Sequence, residues 1–302
     1  MTGLLELRGI VTVLNTPFDQ DLEVDSLALR RHARLACDAG VAGFLIPAMA
    51  SEVDRLNERE RLAVAGAVVD EVDGGRVVVG GASRDTPQEA AAAAKALVDL
   101  GCDGVLVHVP YSTEEKWREG VEAVARTDPP FLIVQDWAPD GWGIPVEALV
   151  AAFEELDCLR GVKVEVVPAG PKYTALLRAT GGRLHVSGGW AAAQVIEALD
   201  RGVHAFMPTA LHRTYVEVYK RYSRGDREGA KELFERLLPV LAFSNQHLDM
   251  SIHFFKRLLH HQGIYPTPLV RQPRLPFDEY HERIAAELFE VVDQLEGKVR
   301  GE

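Results

Sequence analysis

The sequence lacks long hydrophobic runs and any excess of positive charge. Its longest stretch without an ionisable side chain, Ala39–Ser51, is too short for a bilayer-spanning helix, which needs about 18 apolar residues. Over 302 residues, 45 acidic side chains outnumber 33 basic ones, which gives a formal net charge of −12. Such a chain has little of the clustered positive charge that nucleic acids or anionic membranes attract. We therefore expect neither a nucleic-acid partner nor a membrane partner.

Cysteine is also scarce. The only cysteines are Cys37, Cys102 and Cys158, and no two of them form a Cys-x-x-Cys pair. An odd number of distant cysteines is typical of small buried hydrophobic side chains rather than disulfides or zinc ligands. The first eight residues lack the cationic start and apolar run of a secretory leader. These features predict a reduced, cytoplasmic setting.

Short apolar runs alternate with amphipathic stretches over the first 224 residues. Several runs are unbroken series of Val, Ile and Leu, as in parallel strands that are buried on both faces. Glycine follows several amphipathic stretches, as at Gly40 and Gly101, where a left-handed helix end prefers it. Eight strand-then-helix units predict an α/β fold, the (β/α)8 or TIM barrel. A doubly wound open sheet is the rival, but no Gly-x-Gly-x-x-Gly follows the first strand.

The predicted elements divide the chain into two parts. The predicted strands are Gly9–Leu14, Gly43–Ile46, Arg76–Val79, Gly104–His108, Phe131–Gln135, Leu159–Val164, Leu184–Ser187 and Ala205–Met207. Later in the chain the pattern is helical only, at Asp226–Phe243, Gln246–Gln262 and Phe277–Glu296. We predict a barrel that carries the active site over residues 1–224 and a C-terminal helical extension over residues 225–302.

Lys163 interrupts the apolar sixth strand. Burial of an ammonium group is costly and favours the neutral amine, which is a nucleophile toward carbonyl carbons. A desolvated lysine is thus a common route to a Schiff base. The alternative is a structural ion pair of this lysine with Glu165 or Asp136. Local pattern alone leaves the two interpretations open.

Several further motifs accompany this lysine. They are Thr16-Pro17-Phe18, Glu60-Arg61, Pro110-Tyr111, Gly161-Val162-Lys163 and Arg271-Gln272-Pro273. On these motifs the chain resembles the dihydrodipicolinate synthase / N-acetylneuraminate lyase family of class I aldolases, as a divergent member. The resemblance implies a TIM barrel with a helical C-terminal extension, and it places Lys163 at the Schiff-base position. It further implies no metal and no organic cofactor, and a homo-oligomer, either a dimer or a homotetramer.

The chain departs from this family at several functional positions. Met49 and Ala50 replace two threonines of the loop that holds the substrate carboxylate, so only backbone N–H groups and the Ser51 hydroxyl remain there. Asp136 aligns with the tyrosine that is the family's general acid/base, and Ser112 replaces a second tyrosine. The arginine expected after the fifth strand is absent. We therefore expect an activity other than authentic dihydrodipicolinate synthesis.

The combined prediction is a lyase, either an aldolase or a dehydratase/hydratase, that acts on a 2-oxo acid. Lys163 and Asp136 are the predicted catalytic residues. The predicted substrate-binding residues are Met49, Ala50, Ser51, Tyr111, Ser112, Glu165, Gly188 and Met207. The alternative is a non-catalytic barrel that binds a small 2-oxo acid or sugar acid. A metal-dependent lyase is a third alternative, but the histidines at 247, 253, 260 and 261 do not form a His-Glu-x-x-His motif, and we predict a helix surface for them.

Overall fold

The computed structural model describes residues 4–189 and 193–300. Eight strands form a closed barrel in the order of the sequence, from β1 to β8, and β8 pairs with β1 in parallel. The predicted TIM barrel is confirmed. The strands are β1 Gly9–Val13, β2 Gly43–Ile46, β3 Val77–Gly81, β4 Gly104–His108, β5 Leu132–Ala138, β6 Leu159–Val166, β7 His185–Gly188 and β8 Ala205–Phe206.

Helices follow the strands and continue beyond the barrel. The barrel helices are α1 Ser26–Ala39, α2 Glu58–Val72, α3 Pro87–Asp99, α4 Glu114–Ala125, α5 Val146–Glu155, α6 Gly170–Ala179, α7 Val195–Asp200 and α8 His212–Ser223. The later helices are α9 Arg227–Glu235, α10 Leu238–Ser244, α11 Leu248–His261 and α12 Glu279–Arg300. The amphipathic stretch Ala191–Asp200 also predicts a helix, and its first two residues lie outside the described ranges. No helix within the described ranges is both long and apolar enough to cross a bilayer.

Helix starts follow from local side chains. Asp25 accepts a hydrogen bond from the Ala28 N–H at the start of α1, and Thr86 and Glu89 form a capping box at the start of α3. One predicted helix, Asp226–Phe243, is instead two helices, α9 and α10. Pro239 stands at the start of α10, where its missing N–H is tolerated, whereas inside one long helix it would break the hydrogen-bond pattern.

Strands β5 and β6 extend beyond their predicted ends at Gln135 and Val164. Their pairing continues from Leu132 opposite Leu159 to Ala138 opposite Val166. The additional residues include polar side chains, which the apolar pattern of a buried strand did not predict. This extension places Asp136 and Glu165 within the barrel wall.

Two compact units make up the chain. One comprises the chain up to Val11 together with Val77–Met207, and it includes strands β3–β8. The other comprises Thr12–Arg76 and the chain from Pro208 onward, and it includes β2, α1, α2 and the later helices.

Candidate active site

Lys163 is buried in strand β6, with 5% of its surface exposed. In the ladder it lies opposite Gln135 of β5 on one side and Ser187 of β7 on the other. Glu165 follows two residues later, so its side chain points to the same face as that of Lys163. The Lys163 Nζ lies 3.2 Å from Glu165 Oε2. The candidate nucleophile thus has a carboxylate as its immediate partner.

The Glu165 carboxylate is held from two further sides. Gln135 Nε2 donates a hydrogen bond to Glu165 Oε2. A Cβ atom at Gly189 would overlap Glu165 Oε1 and would lie 2.7 Å from Lys163 Cε. Only glycine therefore permits the backbone after β7 to approach this pair so closely. Lys163, Glu165 and Gln135 form one buried polar group, which we call the Lys163 group.

Asp136 belongs to a different group. As the neighbour of Gln135 in the strand, it points to the opposite face of the barrel wall. Its Oδ2 lies 2.5 Å from Lys172 Nζ of α6, and its Oδ1 accepts a hydrogen bond of 2.9 Å from the Ile144 N–H. Lys172 also donates to the backbone carbonyls of Trp142 and Ile144. The structure does not bring Asp136 together with Lys163.

Burial dominates the electrostatics of the Asp136–Lys172 pair. It raises the pKa of Asp136 above its ordinary value, while the charge and hydrogen bond of Lys172 act in the opposite direction. Burial likewise lowers the pKa of Lys172, against the effect of Asp136. Gly143 has a φ of +70°, and a Cβ there would overlap Asp136 Oδ1. The pair thus holds the segment between β5 and α5 against strand β5, through Asp136, and against helix α6, through Lys172.

The predicted carboxylate-binding loop lies in the other unit. Met49–Ser51 forms a 3₁₀ turn whose carbonyls are held by the segment that follows β1. Asn15 Nδ2 donates to the Ala50 carbonyl at 2.8 Å, and Thr16 Oγ1 donates to the Ser51 carbonyl at 2.7 Å. The Ser51 hydroxyl is fully buried and donates to the Leu14 carbonyl at 2.6 Å. This hydroxyl orders the turn and is engaged with the backbone.

Glu52, the residue after this turn, anchors a buried charge network. Its Oε1 accepts a hydrogen bond of 2.6 Å from Lys256 Nζ, and neither side chain is exposed. The Arg271 N–H donates to Glu52 Oε2, and both cations lie over the ring of Phe18, at 4.0 Å for Lys256 and 4.3 Å for Arg271. Burial lowers the pKa of Lys256 to about 8, although the charge of Glu52 opposes the shift. The network ties the turn to α11 and the segment before α12.

A hydrogen-bonded chain of buried side chains runs through the same unit. Thr12 Oγ1 lies 3.2 Å from His212 Nδ1, and His212 Nε2 lies 2.9 Å from His32 Nε2. His32 Nδ1 lies 2.9 Å from the Tyr265 hydroxyl, which donates to the Asn15 carbonyl. Burial lowers the pKa of His212 to about 4 and that of His32 well below its ordinary value. Both imidazoles are therefore neutral in the folded protein near pH 7.

The remaining predicted binding residues are dispersed. Tyr111 and Ser112 are exposed in the connection between β4 and α4. Gly188 and Met207 are buried at the ends of β7 and β8, where the Met207 N–H donates to the Gly188 carbonyl at 2.9 Å. Within residues 4–189 and 193–300, no three His, Cys, Asp or Glu side chains are arranged to hold a metal ion.

Comparison with known proteins identifies the family of this chain. The model of the dihydrodipicolinate synthetase family matches residues 6–291. The chain belongs to this family. A member from Halobacterium salinarum, an uncharacterised DapA-like lyase, is 30% identical over 240 residues, which cover 75% of this chain and 76% of that protein. A 4-hydroxy-tetrahydrodipicolinate synthase of Corynebacterium aurimucosum is 27% identical over 290 residues, covering 91% of this chain and 92% of the relative.

Solved members of the dihydrodipicolinate synthetase family share the fold. The dihydrodipicolinate synthase of Rhodopseudomonas palustris superposes with a TM-score of 0.87 at 21% identity, covering 95% of this chain and 98% of the other. A monomeric dihydrodipicolinate synthase variant also gives a TM-score of 0.87, at 22% identity, covering 98% of this chain and 99% of the other. At these identities the likeness establishes the architecture.

Sequence reasoning missed three residues around the predicted site. Gln135 lies opposite Lys163 in the sheet. When Pro139 is matched to the proline of the family's motif, however, Asp136 is the residue that aligns with the family's tyrosine. Lys172 lies in the amphipathic stretch Pro171–Ala179, and no local pattern there indicates that its side chain pairs with Asp136. The sequence does indicate a role for Gly189, because Gly188-Gly189 directly follows the predicted strand Leu184–Ser187. A glycine at such a place often marks a close approach of the backbone to another group.

Proposed function

We propose that this protein is a Schiff-base-forming lyase, an aldolase or a dehydratase/hydratase, that acts on a 2-oxo acid through Lys163. The observation that carries the proposal is a buried amine in strand β6 with a carboxylate 3.2 Å away. Once its amine is unprotonated, Lys163 attacks the 2-oxo carbon, and loss of water leaves an iminium. The iminium draws electrons from the adjacent carbon, which can then lose a proton or break a carbon–carbon bond.

Membership of the family supports the lyase class, and the substituted residues support a different substrate. We propose that backbone N–H groups of Met49, Ala50 and Ser51 hold the substrate carboxylate, since the two threonine hydroxyls are absent. Because no arginine occupies the segment after β5, authentic dihydrodipicolinate synthesis is not the proposed activity. The iminium that Lys163 forms with the substrate is the electrophile that draws electrons from the adjacent carbon. The proposal therefore requires no metal and no organic cofactor. A cytoplasmic homo-oligomer, dimer or tetramer, remains part of the proposal.

The residues predicted to bind the remainder of the substrate have unequal support. Glu165 is beside the proposed nucleophile, and Gly188 and Met207 lie at the ends of the next two strands. Tyr111 and Ser112 stay proposals for the rim of the site, because their exposed positions leave them accessible to ligand.

Borohydride trapping with intact-mass measurement tests the Schiff base. Pyruvate and a panel of larger 2-oxo acids are incubated with the protein and then reduced. We expect a stable adduct with at least one acid, which the Lys163→Ala variant loses. Lys95→Ala serves as the matched control, because Lys95 is an exposed lysine that pairs with Asp99, one helical turn away. Peptide mapping should locate the adduct at Lys163.

The competing function is a non-catalytic barrel that binds a 2-oxo acid or sugar acid. It is favoured by the engagement of the Ser51 hydroxyl with the backbone. Folded protein that yields no adduct with any acid of the panel would favour this function and contradict the lyase proposal. An adduct that persists in Lys163→Ala would contradict the assignment of the nucleophile.

A further inference from the structure

The Lys163 group lacks the tyrosine hydroxyl that the family resemblance leads one to expect, yet it contains a carboxylate. We propose that Glu165 is the catalytic acid/base that moves protons to and from the substrate bound to Lys163. This inference rests on the proposed Schiff-base function and adds the residue that performs proton transfer in it. It assigns to Glu165 the role that sequence alignment predicted for Asp136.

Position favours Glu165. Its Oε2 lies 3.2 Å from the Lys163 Nζ, the atom that would bond to the substrate. It stands two residues closer to the C-terminal end of β6, about 7 Å along the strand, which is the end where barrel enzymes bind substrates. A substrate joined to Lys163 and extending toward that end therefore passes the Glu165 carboxylate. A general base must be within such reach of the proton that it takes.

The surroundings of Glu165 hold it in place. Gln135 donates a hydrogen bond to Oε2, and Gly189 leaves the space that Oε1 occupies. Gln135 is a neutral donor, so its hydrogen bond to Glu165 does not depend on a positive charge at Lys163. The carboxylate therefore has a partner while the lysine nitrogen passes from ammonium through neutral amine to iminium.

Asp136 is less suited to this work. Its two oxygens are engaged by Lys172 and by the Ile144 N–H, on the opposite face of the barrel wall from Lys163. To accept a substrate proton it would have to leave both partners and expose a buried ammonium. The structure gives Asp136 a positioning role for the segment between β5 and α5.

The proton balance is simple. Glu165 first takes a proton from the Lys163 ammonium, which leaves a neutral amine and a carboxylic acid. As the amine bonds to the 2-oxo carbon, the carbonyl oxygen takes that proton, and the oxygen later leaves as water with a second proton from the nitrogen. In the iminium, the bond between C3 and its hydrogen breaks, and the proton passes to the Glu165 carboxylate. The electron pair forms the C2–C3 double bond, and the C2–N π pair moves to nitrogen.

For a substrate with a hydroxyl on C4, the same carboxylate takes the hydroxyl proton. The oxygen–hydrogen pair becomes the carbonyl π bond of the leaving aldehyde. The C3–C4 pair becomes the enamine double bond, and the iminium π pair again moves to nitrogen. Protonation of C3 by the Glu165 acid and hydrolysis of the iminium then release the shortened 2-oxo acid and restore the lysine. No oxidant or further reactant is required.

Hydrogen exchange on the probe acid separates proton transfer from Schiff-base formation. The probe is pyruvate, or the acid of the panel that traps best. Its C3 hydrogens are followed by proton NMR in deuterium oxide, and adduct formation is measured by borohydride trapping on the same samples. We expect the protein to catalyse exchange and Glu165→Gln to slow it about 100-fold or more, because general acid/base groups contribute about 100- to 10,000-fold.

The variants distinguish the two levels of the proposal. Glu165→Gln should still form the trapped adduct, but more slowly, because solvent must then take the proton of the Lys163 ammonium; at long incubation the adduct also shows that the site is folded. Glu165→Asp should recover part of the exchange. Glu119→Gln, an exposed change in α4, is the matched control. Wild-type exchange in Glu165→Gln together with a trapped adduct would overturn the role of Glu165 while leaving the Schiff base intact. Absence of any adduct in the wild-type protein would overturn both.

Discussion

Asp136 and Lys172 form an ion pair of 2.5 Å between strand β5 and helix α6, and both side chains are buried. Lys172 fills its other donor positions with the carbonyls of Trp142 and Ile144. An ammonium with three oxygen partners recovers much of its lost hydration, so the pair is tolerated inside the fold. It fixes the backbone that follows strand β5.

Removal of one partner of this pair should be strongly destabilising. Lys172→Met leaves the Asp136 carboxylate buried without a cation, and we expect the free energy of unfolding to fall by about 3–5 kcal/mol. Urea denaturation at pH 7 measures it. The double variant Asp136→Leu with Lys172→Met should recover part of the loss, because no buried charge remains. Lys95→Met removes an exposed pair and should cost about 0.5 kcal/mol or less. Equal losses for Lys172→Met and Lys95→Met would contradict this account.

Gly189→Ala should impair the site more than the fold. The added methyl group would displace Glu165 Oε1 and press on Lys163 Cε. We expect the rate of borohydride-trapped adduct formation to fall about tenfold or more, since small displacements of reacting groups are costly. Gly141→Ala is the control, because a methyl group there has nothing within 4 Å. Trapping by Gly189→Ala at the wild-type rate would show that the close approach is unimportant.

Acid should destabilise the protein before its carboxylates titrate. Burial lowers the pKa of both His185 and His212 to about 4, whereas an imidazole in the unfolded chain titrates near 6.5. Between about pH 6.5 and 4 the unfolded chain binds protons that the folded protein does not. Stability is therefore complete above this window and falls with decreasing pH, by about 3 kcal/mol for each group across it.

Urea unfolding at pH 7, 6 and 5 measures this dependence. A His185→Gln variant should show a shallower loss between pH 6.5 and 4 than the wild-type protein. A free energy of unfolding that stays constant from pH 7 to pH 5 would exclude the buried neutral imidazoles.

The Tyr265 hydroxyl should contribute to stability through both of its hydrogen bonds. Tyr265→Phe leaves His32 Nδ1 and the Asn15 carbonyl buried without this partner, and we expect a loss of about 1–3 kcal/mol. Urea denaturation of this variant beside Tyr280→Phe, whose ring is 61% exposed, measures the difference. A loss no larger than that of Tyr280→Phe would mean that the chain of hydrogen bonds contributes little.

Sequence patterns predicted the barrel well because the strands are continuous apolar runs and the helices are amphipathic. The common face of Lys163 and Glu165 also followed from the alternation of side chains along a strand. Which residue of β5 faces the lysine did not, because it depends on where β5 ends and on its register with β6. A shift of one residue exchanges the two faces, and so Asp136 was predicted where Gln135 lies. The pairing of Asp136 with Lys172 depends on how α6 packs on the wall, which no local pattern encodes.

The hydrogen bonds that run from His212 through His32 and Tyr265 to Asn15 have a single donor direction. The Asn15 carbonyl can only accept, so the one proton of the Tyr265 hydroxyl is committed to it. His32 must then donate from Nδ1 and accept at Nε2, and His212 must donate from Nε2. The unprotonated Nδ1 of His212 faces the Thr12 hydroxyl at 3.2 Å, and this hydroxyl also donates to the Pro208 carbonyl at 3.4 Å. The two rings are thereby fixed as opposite tautomers of neutral imidazole.

Because the donors of His212, His32 and Tyr265 all point toward Asn15, the dipoles of these three hydrogen bonds add and polarise one another. Asn15 in turn holds the Ala50 carbonyl. Tyr265 of the C-terminal segment thus fixes the donor direction of the hydrogen bonds that end at the Asn15 backbone, and the side chain of the same residue holds the proposed carboxylate-binding turn.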